Sequence, residues 1–115
     1  MWHSLIAWQA LKQQGAYGFV LEYQDEALEG FVVAKEEQLY AYQNHCPHRD
    51  APLNWKPHQF WDIKGEFLMC SMHGALFQPQ NGLCMYGPCR GQSLQGLPIR
   101  LEAEQVQVWF DPTNA

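Results

Sequence analysis

Two short runs, Cys46-Pro47-His48 and Cys70-Ser71-Met72-His73, each carry a thiol and an imidazole within a few residues, and twenty-one residues separate them. A Cys and a His so close together on a tight loop can both turn toward one point. A second such loop then completes four soft or borderline ligands, enough to hold iron or zinc. Finger-type zinc sites divide their ligands differently, two Cys on one knuckle and two His on a helix. One ligand of each kind per loop suits a two-iron centre in which one iron takes both thiolates and the other both imidazoles. The spacing alone is equally open to a single zinc ion.

Bulk properties narrow the setting. A chain of 115 residues and 13.3 kDa is one domain, with room for a modest core but not for a large catalytic apparatus. With 47% hydrophobic and 17% charged residues it is globular rather than disordered. A formal charge of -5 argues against nucleic acid or an anionic membrane as the main partner. Four cysteines are too few for a disulfide scaffold. No apolar run reaches membrane-spanning length, and the first residues lack a basic stretch followed by an apolar one. The expectation is a soluble protein of a reducing, cytoplasmic compartment, with no membrane anchor.

The chain reads as β-rich. Residues 18–23, 31–34 and 39–42 are short β-branched or aromatic runs separated by polar turns, and residues 35–38 predict a hairpin between the second and third. Near the other end, apolar residues alternate at 97, 99 and 101 and again at 106, 108 and 110, the period of half-buried strands. Residues 5–14 suit a short helix or a strand equally. Residues 44–91 differ: they hold most of the prolines and all four cysteines but few clean strand patterns. Such loops need pinning by something besides apolar burial, and a metal centre would supply it.

The run Asn44-His45-Cys46-Pro47-His48-Arg49-Asp50-Ala51-Pro52-Leu53 resembles the first cluster loop of Rieske-type [2Fe–2S] proteins, and Cys70-Ser71-Met72-His73-Gly74-Ala75-Leu76-Phe77 resembles the second. Asn81-Gly82-Leu83-Cys84-Met85-Tyr86-Gly87-Pro88-Cys89 is similar to the turn and proline-bearing third loop that follow. The resemblance covers the whole chain. It implies an all-β Rieske-type fold of stacked antiparallel sheets, with residues 1–44 and 92–115 as the β base and 45–91 as an inserted two-loop cluster-binding subdomain. Residues 54–69 are longer than in many members and carry Trp55, His58, Phe60 and Trp61, which predicts an extra turn beside the cluster.

Carried over by position, the resemblance implies that Cys46 and Cys70 bind the inner iron and His48 and His73 the outer one, with one [2Fe–2S] cluster per chain. Arg49, Leu53, Met72, Gly74 and Pro88 are expected around the cluster rather than on it. The high-potential branch has a disulfide bracing its two ligand loops, where this chain has Ala51 and Met72. That branch also has a Ser and a Tyr donating hydrogen bonds near the cluster, where this chain has Ala75 and Phe77. A low-potential centre follows.

The function implied is that of a stand-alone Rieske ferredoxin. It would be a one-electron shuttle between a reductase and a terminal oxygenase or similar enzyme, with no substrate chemistry of its own. Two readings stand beside it: a nitrite reductase small-subunit-like protein, and a structural or regulatory metal module. Cys84 and Cys89 are read as small buried thiols, with a disulfide between them left open. His3, His45 and His58 are read as surface or packing residues, with His45 placed to tune the site. Glu22, Asp25, Glu26, Glu29, Glu36 and Glu37 are read as a solvated face. The aromatics Trp55, Phe60 and Trp61, together with Met72, Met85, Tyr86 and Pro88, belong either to the core or to an apolar docking rim.

Overall fold

A computed structural model describes residues 1–23, 25–47, 52–54, 56–71 and 74–110. The order of elements is β1 (Trp2–Ala7), α1 (Trp8–Gln14), β2 (Ala16–Tyr23), β3 (Glu26–Lys35) and β4 (Gln38–Gln43). The short strands β5 (Leu68–Met69), β6 (Leu76–Phe77) and β7 (Cys84–Tyr86) follow, then β8 (Ile99–Glu102) and β9 (Gln105–Trp109). Among the described residues they form three antiparallel three-stranded sheets, ordered β1-β9-β8, β2-β3-β4 and β5-β6-β7. The expected all-β architecture is what the chain builds. No helix among the described residues is long and apolar enough to cross a membrane.

The hairpins explain the tightness of the meander. Lys35 pairs with Gln38 across Glu36 and Glu37, whose φ values are 53° and 64°. Glu102 pairs with Gln105 across Ala103 and Glu104, at 51° and 65°. Two successive residues in the left-handed region make the turn whose twist matches the strands it joins. Neither turn contains glycine or asparagine, so each carries some backbone strain offset by the ladder it closes.

Strand β3 starts at Glu26, five residues before the apolar run that announced it. Residues 26–30 are poor strand formers, but β2 offers a continuous ladder from Tyr23↔Glu26 to Ala16↔Val33 and holds them extended. Residues 5–14 split between the two structures they suit. The strand runs to Ala7, and the helix begins at Trp8, whose N–H donates to the Glu104 carbonyl at 2.9 Å. The helix ends at Gly15, whose N–H donates to the Leu11 carbonyl at 2.7 Å. The alternation at 106 and 108 is fully expressed, since both valines are buried, whereas Leu101 on β8 is 45% exposed.

Strand β3 is a partition. Successive side chains of a strand point to opposite faces, and Phe31, Val32 and Val33 are all fully buried. Val32 joins Trp8, Leu11, Phe19, Ala41, Val106 and Val108 in one core. Phe31 and Val33 join a second core that contains Cys46, Leu53, Phe60, Leu68, Cys70, Phe77, Cys84 and Cys89. The middle sheet therefore serves a base on one side and the cysteine-bearing loops on the other.

The long segment before β5 packs against this sheet. Phe60 stacks on Phe31 with ring centroids 4.2 Å apart, and Trp61 Nε1–H donates to the Gly15 carbonyl at 3.1 Å. Lys35 Nζ donates to the Gly65 carbonyl at 2.8 Å, and the Gly18 N–H donates to His58 Nδ1 at 3.0 Å. The segment also ties to itself: Met69 N–H donates to the Phe60 carbonyl, and Asp62 N–H to that of Phe67. The expected extra turn is thus a side wall of the second core. Trp55 lies outside the described residues.

Candidate metal centre

Cys46 and Cys70 are 2% and 1% exposed and sit in the same core. Each lies at the base of a loop whose backbone is anchored on both sides. In the first loop, Asn44 N–H donates to the Glu29 carbonyl at 2.9 Å, fixing the exit from β4. The Asn44 side chain then closes the loop, its Oδ1 accepting from Leu53 N–H at 2.7 Å and its Nδ2 donating to Asn54 Oδ1 at 2.8 Å. In the second loop, Cys70 N–H donates to the Ala75 carbonyl and Gly74 N–H to the Cys70 carbonyl, both at 2.9 Å. Gly74 has φ 68°, and among the described residues no atom beyond its chain neighbours lies within 4 Å of where its Cβ would be, so the turn's conformation rather than crowding selects glycine. Ser71 N–H donates to the Leu53 carbonyl at 2.8 Å and joins the two loops directly.

The third loop packs beneath them. Gly87, at φ 110°, passes so close to the second loop that a Cβ would lie 2.9 Å from both Cα and Cβ of Ala75. The Tyr42 hydroxyl donates to the buried Pro79 carbonyl and ties β4 to the start of this region. Burial, with a smaller push from Tyr40, raises the Tyr42 phenol from 10.0 to about 12. Cys89 Sγ donates to Cys84 Sγ at 2.8 Å, and Cys84 Sγ in turn donates to the Tyr86 carbonyl at 3.2 Å. Burial first, then the bond to Cys84, push the Cys89 thiol up to about 12, and Cys46 adds to the shift.

The expected site residues fall into three groups. Cys46, Cys70, Leu53 and Gly74 are placed as above, with Leu53 fully buried in the core and Gly74 exposed. Pro88 is exposed on the third loop, beside Tyr86 at 63% exposure. His48, Arg49, Met72 and His73 lie outside the described residues. Of the remaining aromatics, Phe60 belongs to the core and Trp61 is half-buried against the sheet. The six acidic residues are exposed, as a solvated face requires. Sequence reasoning missed the Asn44–Asn54 clasp, the Ser71–Leu53 link and the Tyr42–Pro79 tie. Only Asn44, an Asx residue just after a strand, carried a local signal.

Among the described residues no three His, Cys, Asp or Glu side chains gather as a metal site. Among the described residues, Cys84 and Cys89 therefore do not complete a four-ligand centre with Cys46 and Cys70. The donor chemistry fits an iron–sulfur group. Two buried thiols stand at the roots of two bonded loops, and each thiol is followed within three positions by an imidazole.

The family model described as the Rieske [2Fe-2S] domain matches residues 1–108. The chain belongs to the Rieske family, a class of cluster-binding domains. Solved structures share the fold at low sequence identity. A chain from the complex of reduced oxygenase and oxidized ferredoxin in carbazole 1,9a-dioxygenase matches with a TM-score of 0.71 and 20% identity, over 93% of this chain and 91% of that one. The ferredoxin of carbazole 1,9a-dioxygenase from Nocardioides aromaticivorans IC177 matches at 0.69 and 18%, over 94% and 96%. The Sphingomonas yanoikuyae B1 ferredoxin matches at 0.65 and 20%, over 95% and 98%. No curated protein matches the chain by sequence.

Proposed function

We propose that this chain is a one-electron carrier of the Rieske ferredoxin kind, taking electrons from a reductase and delivering them to a terminal oxygenase or similar redox enzyme. The observation that carries the reading is the pair of buried thiols, Cys46 and Cys70, at the roots of two loops joined by the Ser71–Leu53 hydrogen bond. Similarity in both fold and chain length to the ferredoxin of carbazole 1,9a-dioxygenase supports the choice of partner. In this reading Cys46 and Cys70 hold one iron of a single [2Fe–2S] cluster, and His48 and His73 hold the other. Such a cluster, when bound, accepts and returns one electron at a time.

The protein's own part is to hold the site still. The Asn44 clasp, the Cys70–Ala75 turn and the Gly87–Ala75 contact fix the loop backbones, so little reorganisation accompanies a change of charge. Leu53, Phe77 and Leu68 keep water from the thiol side. Residues 45–91 act as the cluster-binding subdomain on a base formed by 1–44 and 92–115. The reading places the carrier in a reducing cytoplasmic compartment, where thiolate ligands persist.

A low potential belongs to the same proposal. Ala75 and Phe77 are 1% and 0% exposed and bring no hydroxyl to the site. Hydrogen bonds aimed at a cluster favour its reduced form, so their absence lowers the potential within the family's range of about -150 to +300 mV. Replacing Ala75 by Ser and Phe77 by Tyr should raise the midpoint in a redox titration. An unchanged midpoint with the cluster intact would count against the assignment.

Anaerobically purified protein should contain iron and acid-labile sulfide in equal amounts. After dithionite it should give a rhombic electron paramagnetic resonance signal of low average g. A zinc-containing, colourless and resonance-silent protein would instead establish a structural metal module.

A further inference from the structure

From the placement of the two remaining cysteines we infer that Cys84 and Cys89 form a thiol/disulfide couple, separate from cluster ligation, that staples the third loop beneath Cys46. Their sulfurs are 2.8 Å apart, less than an ångström beyond the bonded length of about 2.05 Å. The backbone already closes the ring between them. Cys84 N–H donates to the Gln92 carbonyl at 2.8 Å, Gly91 N–H to that of Cys84 at 3.2 Å, and Gln92 N–H to that of Cys89 at 2.8 Å. Bond formation therefore moves two side chains and leaves the turn as it is.

The sulfurs are also placed for selective chemistry. Both are buried, at 2% and 1% exposure, but the turn over them is at the surface: Tyr86, Gly87, Pro88, Arg90 and Gly91 are all exposed. Opening that one turn admits a small reagent; it gives up the Gly87–Ala75 contact but leaves the Ser71–Leu53 and Asn44–Asn54 hydrogen bonds of the Cys46 and Cys70 loops in place. The reaction is exchange with a low-molecular-weight disulfide. Cys84 and Cys89 lose two protons and two electrons in forming one S–S bond, and the reagent's S–S bond breaks to give two thiols. In a reducing compartment the resting form is the dithiol, and a rise in oxidised small thiols closes the staple.

The test uses the cluster-loaded protein equilibrated in mixtures of reduced and oxidised glutathione, then denatured in iodoacetamide without reductant and digested with trypsin. Cleavage after Lys64 and Arg90 places Cys70, Cys84 and Cys89 in one peptide and Cys46 in another. The expected result is a titration of the 65–90 peptide from three alkylated cysteines to one, with Cys70 and Cys46 alkylated throughout. Oxidation should also raise the midpoint of thermal unfolding by roughly 5 °C, and Cys89→Ser should abolish that rise while keeping the cluster's resonance signal. Three alkylated cysteines at every ratio, or a disulfide that includes Cys46 or Cys70, would overturn the inference. Iron and sulfide content, measured on the same samples, reports on the electron-carrier proposal independently.

Discussion

On one face of β3, Val32 packs with Trp8, Leu11, Phe19, Val106 and Val108, between strands of five to ten residues and a short helix. On the other face, Phe31 and Val33 share a core with all four cysteines, and the strands of the sheet on that side are two or three residues long. The base is held by ladders and apolar burial. The site half depends on bonds from one loop to another, such as Ser71 to Leu53, and on side-chain clasps, such as Asn44 to Asn54. Few ladder bonds and long connections leave such a region short of intrinsic stability. In the proposed function, a bound centre whose binding energy adds to folding makes up the difference.

The sharpest way to break this comparison is to remove a proposed ligand. Cys46→Ser should eliminate the bound iron and the resonance signal. Hydrogen exchange should then show amide protection collapsing across residues 52–92 while β8 and β9 keep theirs. Uniform loss across the molecule would mean that the two halves are one cooperative unit. Next in size is Phe31→Ala, which empties a site shared with Phe60 and Tyr42. Denaturant unfolding should lose about 3–5 kcal/mol, with loosening on the site side; Val32→Ala should cost less and loosen the base instead.

Gly87→Ala should destabilise by roughly 1–3 kcal/mol, because the added methyl meets the Ala75 backbone and the backbone sits at φ 110°. The expected signature is a changed cluster spectrum with β1–β9 pairing unaffected in amide exchange. Smallest is Tyr42→Phe, which leaves the buried Pro79 carbonyl without its donor and should cost about 1–2 kcal/mol. This variant has a pH signature. The phenol's folded value, about 12, lies above its ordinary 10.0, so the protonated folded state is favoured. That contribution is complete below pH 10 and is lost as the pH rises toward 12. Wild-type stability should fall across that window, and the variant's fall should be shallower.

How much of this was legible in the chain follows the same division. Alternation at 106 and 108 and the hairpin at 35–38 are local patterns, and they appear where expected because half-buried strands impose a two-residue period. The paired Cys and His motifs carried the family, since the spacing of Cys and His within a loop is also a local property. The early start of β3 was invisible, because residues 26–30 are extended only by their pairing with β2. Residues 5–14 were ambiguous for a similar reason: either structure suited them, and the Trp8–Glu104 contact decided where one ends and the other begins.

Local order in the chain was enough to specify the Cys and His motifs, their spacing, the family they mark, and an all-β framework around them. Tertiary packing alone set which face of β3 meets which core, how residues 56–69 wall the site, and that Cys84 and Cys89 touch. These last features join residues far apart in sequence or across a turn. Their energies come from burial and from hydrogen bonds that exist only once both partners are in place.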